Sequence, residues 1–300
     1  MATNLRIGSK LAYDPDKILT LILQMLLLIF LIYMKDHGFL TIFIPVLVIP
    51  AILIKELREN KYFWLLLSII LCTFYLILDL VRYVPNHNHI YAYVTIIISL
   101  TFFINSKAQH LNFLKIQAKY IIGLCFLFAV IGKFLAPEFL DGSFFDFTNT
   151  ARFQFFGFSS IVGGIDKGLL QENHNNLYAL LATNNTSNFF ILNEADKMKN
   201  ISLFLTYWTI LIESLIAISF CLPSRFLLTK YRNVFLLIFI VSTYPIATVV
   251  EFGVIVTLLG FIQSLKNNSF GRYSWVYLVI FFILPINNYP FSILFERFFN

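Results

Sequence analysis

Lys133 stands in the apolar stretch "FAVIGKFLAPEFLDG", and Glu213 stands in the equally apolar "YWTILIESLIAISFC". Low dielectric disfavours a charged amine, so a buried lysine can accept a proton, and a nearby carboxylate or histidine can tune it. That chemistry suits removal of a proton from a weakly acidic, lipid-soluble substrate. Lys133 is also only about a turn from Pro137, close enough for its amine to snorkel to a membrane surface with no further role. Glu213 is mid-run and cannot reach water that way, so it requires a polar partner or a proton of its own. A further group surrounds "DLVRYVPNHNHIYAY", where Asp79 and Arg82 precede His87 and His89. Asp79 and Arg82, at i and i+3, suit a mutual ion pair. Two histidines at i and i+2 without another Cys or His close by make a poor zinc site, and no metal centre is expected. Glu251 completes the set at the start of a later apolar run.

The elements that must position these groups follow from composition. The chain is 59% hydrophobic and 13% charged, with 35 Phe and a mean hydropathy of +0.79, outside the usage of soluble domains. A bilayer core of ~30 Å needs roughly 20 helical residues, and apolar runs of that order recur near 18–34, 39–54, 63–81, 89–105, 117–136, 201–222, 233–248, 250–265 and 273–288. The runs are continuous rather than alternating, which favours helices over a transmembrane barrel. The expected architecture is an all-α, polytopic bundle of about nine transmembrane helices, forming one membrane domain over residues 1–300. As one helix, 233–265 would be about 50 Å long. Pro245 in "TYPIATVVEFG" favours a break there, as a tight hairpin or as a kinked span with a re-entrant piece.

Lysines and arginines set the expected orientation in the cell membrane. Fourteen of them (among them Arg6, Lys55, Arg58, Lys115, Arg225 and Lys266) fall on one side of this topology, against Lys35 and Arg82 in the short loops of the other. The positive-inside rule then makes the N-terminus cytoplasmic. The net charge of +6 is spread over these loops, so a nucleic-acid partner is not expected; the bilayer is the expected partner. No cleavage site follows the first run, and an uncleaved first helix is expected. Cys72, Cys125 and Cys221 lie inside spans without CxxC spacing and read as packing residues. Residues 137–200 make an extracytoplasmic loop of over sixty residues, long enough to suggest function, with a Phe-rich front half expected at the interface or over the bundle mouth. On this map Lys133, Asp79, Arg82, His87, His89 and Glu251 gather at outer helix ends, with Glu213 near mid-depth. Buried ionisable groups face the bundle interior, so a polar cavity open to the outside is expected.

Three stretches in order resemble the membrane domain of vitamin K-dependent gamma-carboxylases, within the wider horizontally transferred transmembrane (HTTM) group. "PNHNHIYAY" is similar to the family's Asn-His motif through Asn86, His87 and Tyr91. "FAVIGKFLAPEFLDG" is similar to its lysine segment through Lys133, Asp141 and Gly142. "YWTILIESLIAISFCLPSRF" is similar to a later helix through Trp208, Glu213 and Arg225. The resemblance implies Lys133 as the base that deprotonates a reduced quinone and His87 as a contributor to catalysis. The substrate-binding surround would then hold Glu213, Asp79, Arg82, Glu251 and Trp208. The family has a further histidine where the 233–248 helix has none, and its large extramembrane domain has no counterpart within these 300 residues. Both departures point away from protein glutamate carboxylation and towards a quinone or another lipid. DoxX-like quinone-associated membrane proteins are a neighbouring resemblance. The alternative is a non-catalytic membrane subunit or small-solute carrier whose buried charges are structural pairs; against a carrier, no inverted repeat is visible.

Overall fold

Each expected apolar run coincides with a helix whose ends fall within about five residues of it, except that the helix at 117–136 already begins at Lys107. The computed structural model describes residues 14–33, 40–81, 86–183, 196–247, 249–266 and 269–288. The first half contains α1 (Pro15–Tyr33), α2 (Leu40–Leu53), α3 (Lys55–Arg58), α4 (Lys61–Val81), α5 (Asn86–Phe103) and α6 (Lys107–Leu135). Short helices follow: α7 (Pro137–Leu140), α8 (Ser143–Ala151), α9 (Phe156–Ile161) and α10 (Lys167–Thr183). The remainder comprises α11 (Asp196–Cys221), α12 (Arg232–Thr243), α13 (Val250–Ser264) and α14 (Arg272–Ile283). Among the described residues there is no strand, only an isolated bridge between Lys266 and Ser269.

Among the described residues, four segments are long and apolar enough to cross a membrane: Pro15–Tyr33, Lys61–Leu78, Gln109–Leu135 and Met198–Cys221. The other helices at expected spans, α2, α5, α12, α13 and α14, are shorter. At 1.5 Å per residue the 12 residues of α12 reach about 18 Å, short of the hydrocarbon core on their own. The expected break near Pro245 is present. α12 stops at Thr243, whose carbonyl accepts the N–H groups of Ile246 (3.0 Å) and Ala247 (2.8 Å). Within the long loop expected over 137–200, residues 137–183 fold almost wholly into helices and 3-10 turns. Of the polar rear half of this segment, 171–190, residues 171–183 belong to α10 and 184–190 lie outside the described residues.

The chain divides into two compact units, residues 1–121 with 251–300, and residues 122–250. In the first, α4 packs along α5 and α1 against α2. The helix α4 is apolar on both faces: Trp64, Leu67, Leu71 and Tyr75 are buried, while Leu66, Ile69, Leu76, Ile77 and Leu80 are exposed. Such a stripe suits lipid rather than water. Arg58, read from the sequence only as a loop charge, is 5% exposed. One of its terminal nitrogens donates to the carbonyls of Ala51 (3.3 Å) and Ile52 (2.7 Å), capping the Pro-containing α2. The Trp64 indole donates to the Arg58 carbonyl at 2.7 Å.

In the second unit α11 packs against α8 and α12. Gly123 on α6 lies against α11, where an added Cβ would stand 2.8 Å from Cys221 Sγ. Buried polar residues tie the short helices together: Asn149 Nδ2 donates to Ser202 Oγ (3.2 Å), Ser159 Oγ to the Asn149 carbonyl (2.6 Å), and Asn173 Nδ2 to the Thr150 carbonyl (3.3 Å).

Candidate functional site: a buried lysine–glutamate pair

The second unit brings Lys133 and Glu213 together. Lys133 occupies the last turn of α6, where the helix dipole favours a cation. Glu213 lies on the buried face of α11 with Ile212, Ile216, Ala217 and Phe220. Close approach at Gly123–Cys221 fixes the register of the two helices. Ten residues further along α6 and eight back along α11, Lys133 Nζ stands 2.6 Å from Glu213 Oε2. The side chains are 18% and 8% exposed, so this is a hydrogen-bonded pair largely withdrawn from solvent.

The cover over the pair comes from the segment after α6. Ala136 is extended, and Pro137 starts α7 at a position where a missing N–H is harmless. This turn brings Phe139 back so that Lys133 Nζ lies 5.2 Å from its ring centroid, within cation–π range. Phe139 in turn meets Phe144 at 5.2 Å and Phe145 at 5.4 Å. The Asp-Gly of the lysine segment makes the next turn. Gly142 has φ +86, and a Cβ there would stand 2.8 Å from Leu203 Cδ2. Asp141 is exposed and accepts the Ser143 N–H at 2.9 Å, which holds its carboxyl below the usual carboxylate range. The structure therefore explains Asp141 and Gly142 as turn residues.

Of the other sequence-selected residues, Trp208 belongs to the same unit as the pair, and Glu251 and His89 to the first unit. Trp208 is five positions before Glu213 on α11, about 140° around a helix of 3.6 residues per turn. Its indole donates to Ser242 Oγ of α12 at 3.2 Å and stacks on Phe204. Glu251 opens α13 in the first unit, where its backbone carbonyl accepts the Tyr91 hydroxyl at 3.0 Å. Asp79 is on α4 and His87 in the first turn of α5, but their side chains, and all of Arg82, lie outside the described residues. His89 meets Tyr75 edge-on at 5.8 Å. Among the described residues no group of three or more His, Cys, Asp and Glu could hold a metal ion. Sequence reasoning missed Phe139, whose one signal was its place two residues after the Pro that ends the lysine helix.

Chemically, the pair is a proton held between two groups. In low dielectric an ion pair and its neutral counterpart, amine plus carboxylic acid, come close in energy because desolvation penalises only the charged form. Lys133 donates to Glu213 across this short contact beneath an aromatic cover.

With helices, no strand and four membrane-length apolar segments among the described residues, the chain has the character of a helical membrane protein. No protein-family model, curated protein or solved structure matches this chain.

Proposed function

We propose that the protein is a multi-pass membrane enzyme acting on a reduced quinone or another lipid with a weakly acidic hydroxyl, and that Lys133 is its base. The observation carrying this reading is the 2.6 Å contact between Lys133 and Glu213 under Phe139. Glu213 receives the lysine proton, and the freed amine takes one from the substrate hydroxyl. The resemblance to the gamma-carboxylase-like HTTM domain supports the same lysine, and His87 is its proposed catalytic companion. In this reading all nine helices cross the membrane. α12 and α14 are lengthened by the 3-10 turns Leu227–Tyr231 and Leu284–Asn288. The N-terminus is cytoplasmic and residues 137–200 lie outside.

The same short contact also favours a second reading, in which the pair only joins two helices of a non-catalytic subunit. Lys133→Arg separates the two, because arginine preserves an ion pair with Glu213 and cannot give up its proton. The test replaces the chromosomal copy with Lys133→Arg or Lys133→Met, confirms equal membrane levels, and compares quinone and lipid profiles with a deletion strain. Both variants matching the deletion is the expected result. An arginine variant like wild type beside a methionine variant like the deletion would overturn the base.

A further inference from the structure

The first unit contains a groove that the lysine–glutamate chemistry does not use. Val46, Leu47 and Pro50 of α2, Leu57 of α3, and Phe63 and Leu66 of α4 line about 300 Å³ of space. Val46 and Leu66 are exposed, so the groove opens to the surroundings of the bundle rather than into its core. Between Tyr62 and Leu66 it follows α4 for four residues, about 6 Å at 1.5 Å per residue. Pro50 contributes a wall without a backbone N–H. Such a lining gives a polar solute nothing to bind and suits hydrocarbon.

One end of the groove is polar. Asn60 and Tyr62 line it there, at the start of the membrane-length segment Lys61–Leu78, the level at which a crossing helix meets lipid headgroups. Lys61 Nζ stands 5.1 Å from the Tyr62 ring centroid and 5.0 Å from that of Phe103. Rings from α4 and α5 thus hold the ammonium beside the groove. Among the described residues no oxygen accepts a hydrogen bond from it. Asn60 Oδ1 accepts the Tyr62 N–H at 2.8 Å, which leaves its Nδ2 as a donor. The neighbouring cations are already engaged: Lys55 meets Glu59 at 3.7 Å, and Arg58 serves the Ala51 and Ile52 carbonyls. No acidic residue lines the groove, and exposed Glu56 is not part of its wall.

We propose that this groove holds one acyl chain of an anionic phospholipid, whose phosphate is bound by Lys61 and Asn60. The occupant follows from the two ends of the groove together. A phosphate supplies the oxygens that the Lys61 ammonium lacks, and its charge complements a cation at the positive end of a helix. The apolar walls beyond it accept a chain, which a free phosphate does not have. A choline or ethanolamine headgroup brings a second cation beside Lys61, so a headgroup of net negative charge fits better.

The test measures lipid binding to the purified full-length protein in detergent by native mass spectrometry, with melting temperature as a second readout. Dioleoyl phosphatidylglycerol is compared with dioleoyl phosphatidylcholine and with soluble glycerol phosphate. Saturable binding of a first phosphatidylglycerol, with a rise in melting temperature, is the expected result; glycerol phosphate should produce no such rise. Lys61→Gln should weaken the binding about tenfold, the scale of a lost charge-assisted hydrogen bond, and Lys61→Arg should retain it. Leu66, 49% exposed at the groove opening, tolerates a larger side chain, so Leu66→Trp should block the chain and leave the lipid-free melting temperature unchanged. The inference fails if the two lipids bind equally, if glycerol phosphate alone reproduces the rise, or if either Lys61→Gln or Leu66→Trp binds like wild type. It also fails if light scattering shows a dimer that Leu66→Trp dissociates, because a second copy then covers the groove.

Discussion

Lys133 Nζ and Glu213 Oε2 stand 2.6 Å apart although 80 positions separate them in the chain. The contact joins the last turn of α6 to the middle of α11. Removing either partner leaves the other charge stranded, at a cost of about 3–5 kcal/mol. Glu213→Leu should therefore lower the melting temperature of the purified protein markedly, and Glu213→Gln less so, because an amide still accepts from the ammonium. The double variant Lys133→Met with Glu213→Leu should recover most of the loss, since replacing both partners of a buried pair by apolar groups is often neutral. Single and double variants of equal stability would show that the pair is not coupled.

That pair depends on how closely α6 and α11 approach. A methyl group at Gly123 would stand 2.8 Å from Cys221 Sγ, 3.2 Å from Phe220 Cβ and 3.3 Å from the Cys221 backbone nitrogen. The sulfur can be removed and the backbone cannot. Gly123→Ala should thus destabilise by about 1–3 kcal/mol through overpacking, and Cys221→Ala should restore only part of it. Thermal melts of the two single variants and their combination measure this. Full rescue would place the whole clash on the sulfur.

Apolar runs made the long helices readable, because a sequence that is lipid-facing and core-facing at once has few polar interruptions. Pro245 likewise announced the end of α12. The helices of 137–183 were hidden by their own buried polar residues. In α10 the inward positions are Leu170, Asn173 and Leu177, and Asn173 breaks the apolar period that would have identified the helix. Lys133 and Glu213 stood out by type, and Glu213's need for a partner followed from depth. Which partner it would find depended on the register of two helices, and nothing in local sequence encodes that. Trp208 shows the same dependence on helix geometry. It lies near Glu213 in sequence, and helical geometry turns it towards Ser242.

Arg58 carries a structural role beneath its topological one. Its terminal nitrogen serves two carbonyls at the end of α2, a helix interrupted by Pro45 and Pro50. Hydrogen bonds from a charged donor contribute about 1.5–3 kcal/mol each. Arg58→Leu should reduce thermal stability by about 2 kcal/mol or more on that scale, while membrane orientation is unchanged because the remaining basic residues of that side persist. Unaltered melting with inverted orientation would reduce Arg58 to a topogenic charge.

The crossing of α5 can be counted by parity. Between Asn60 and Ile161 run α4, α5 and α6, and α4 and α6 contain two of the four membrane-length segments. If α5 also crosses, Asn60 and Ile161 lie on opposite sides; if it does not, they lie on the same side. Ile161 is 85% exposed, and Asn60 is exposed before α4, so both suit labelling. In a background with Cys72, Cys125 and Cys221 replaced, Ile161→Cys should react with an impermeant maleimide in intact cells, and Asn60→Cys only after permeabilisation. Reaction of both from one side would remove α5 from the spanning set. The reversed pattern would keep α5 but invert the charge-based orientation, placing the Lys133 end of α6 and its aromatic cover at the cytoplasmic face.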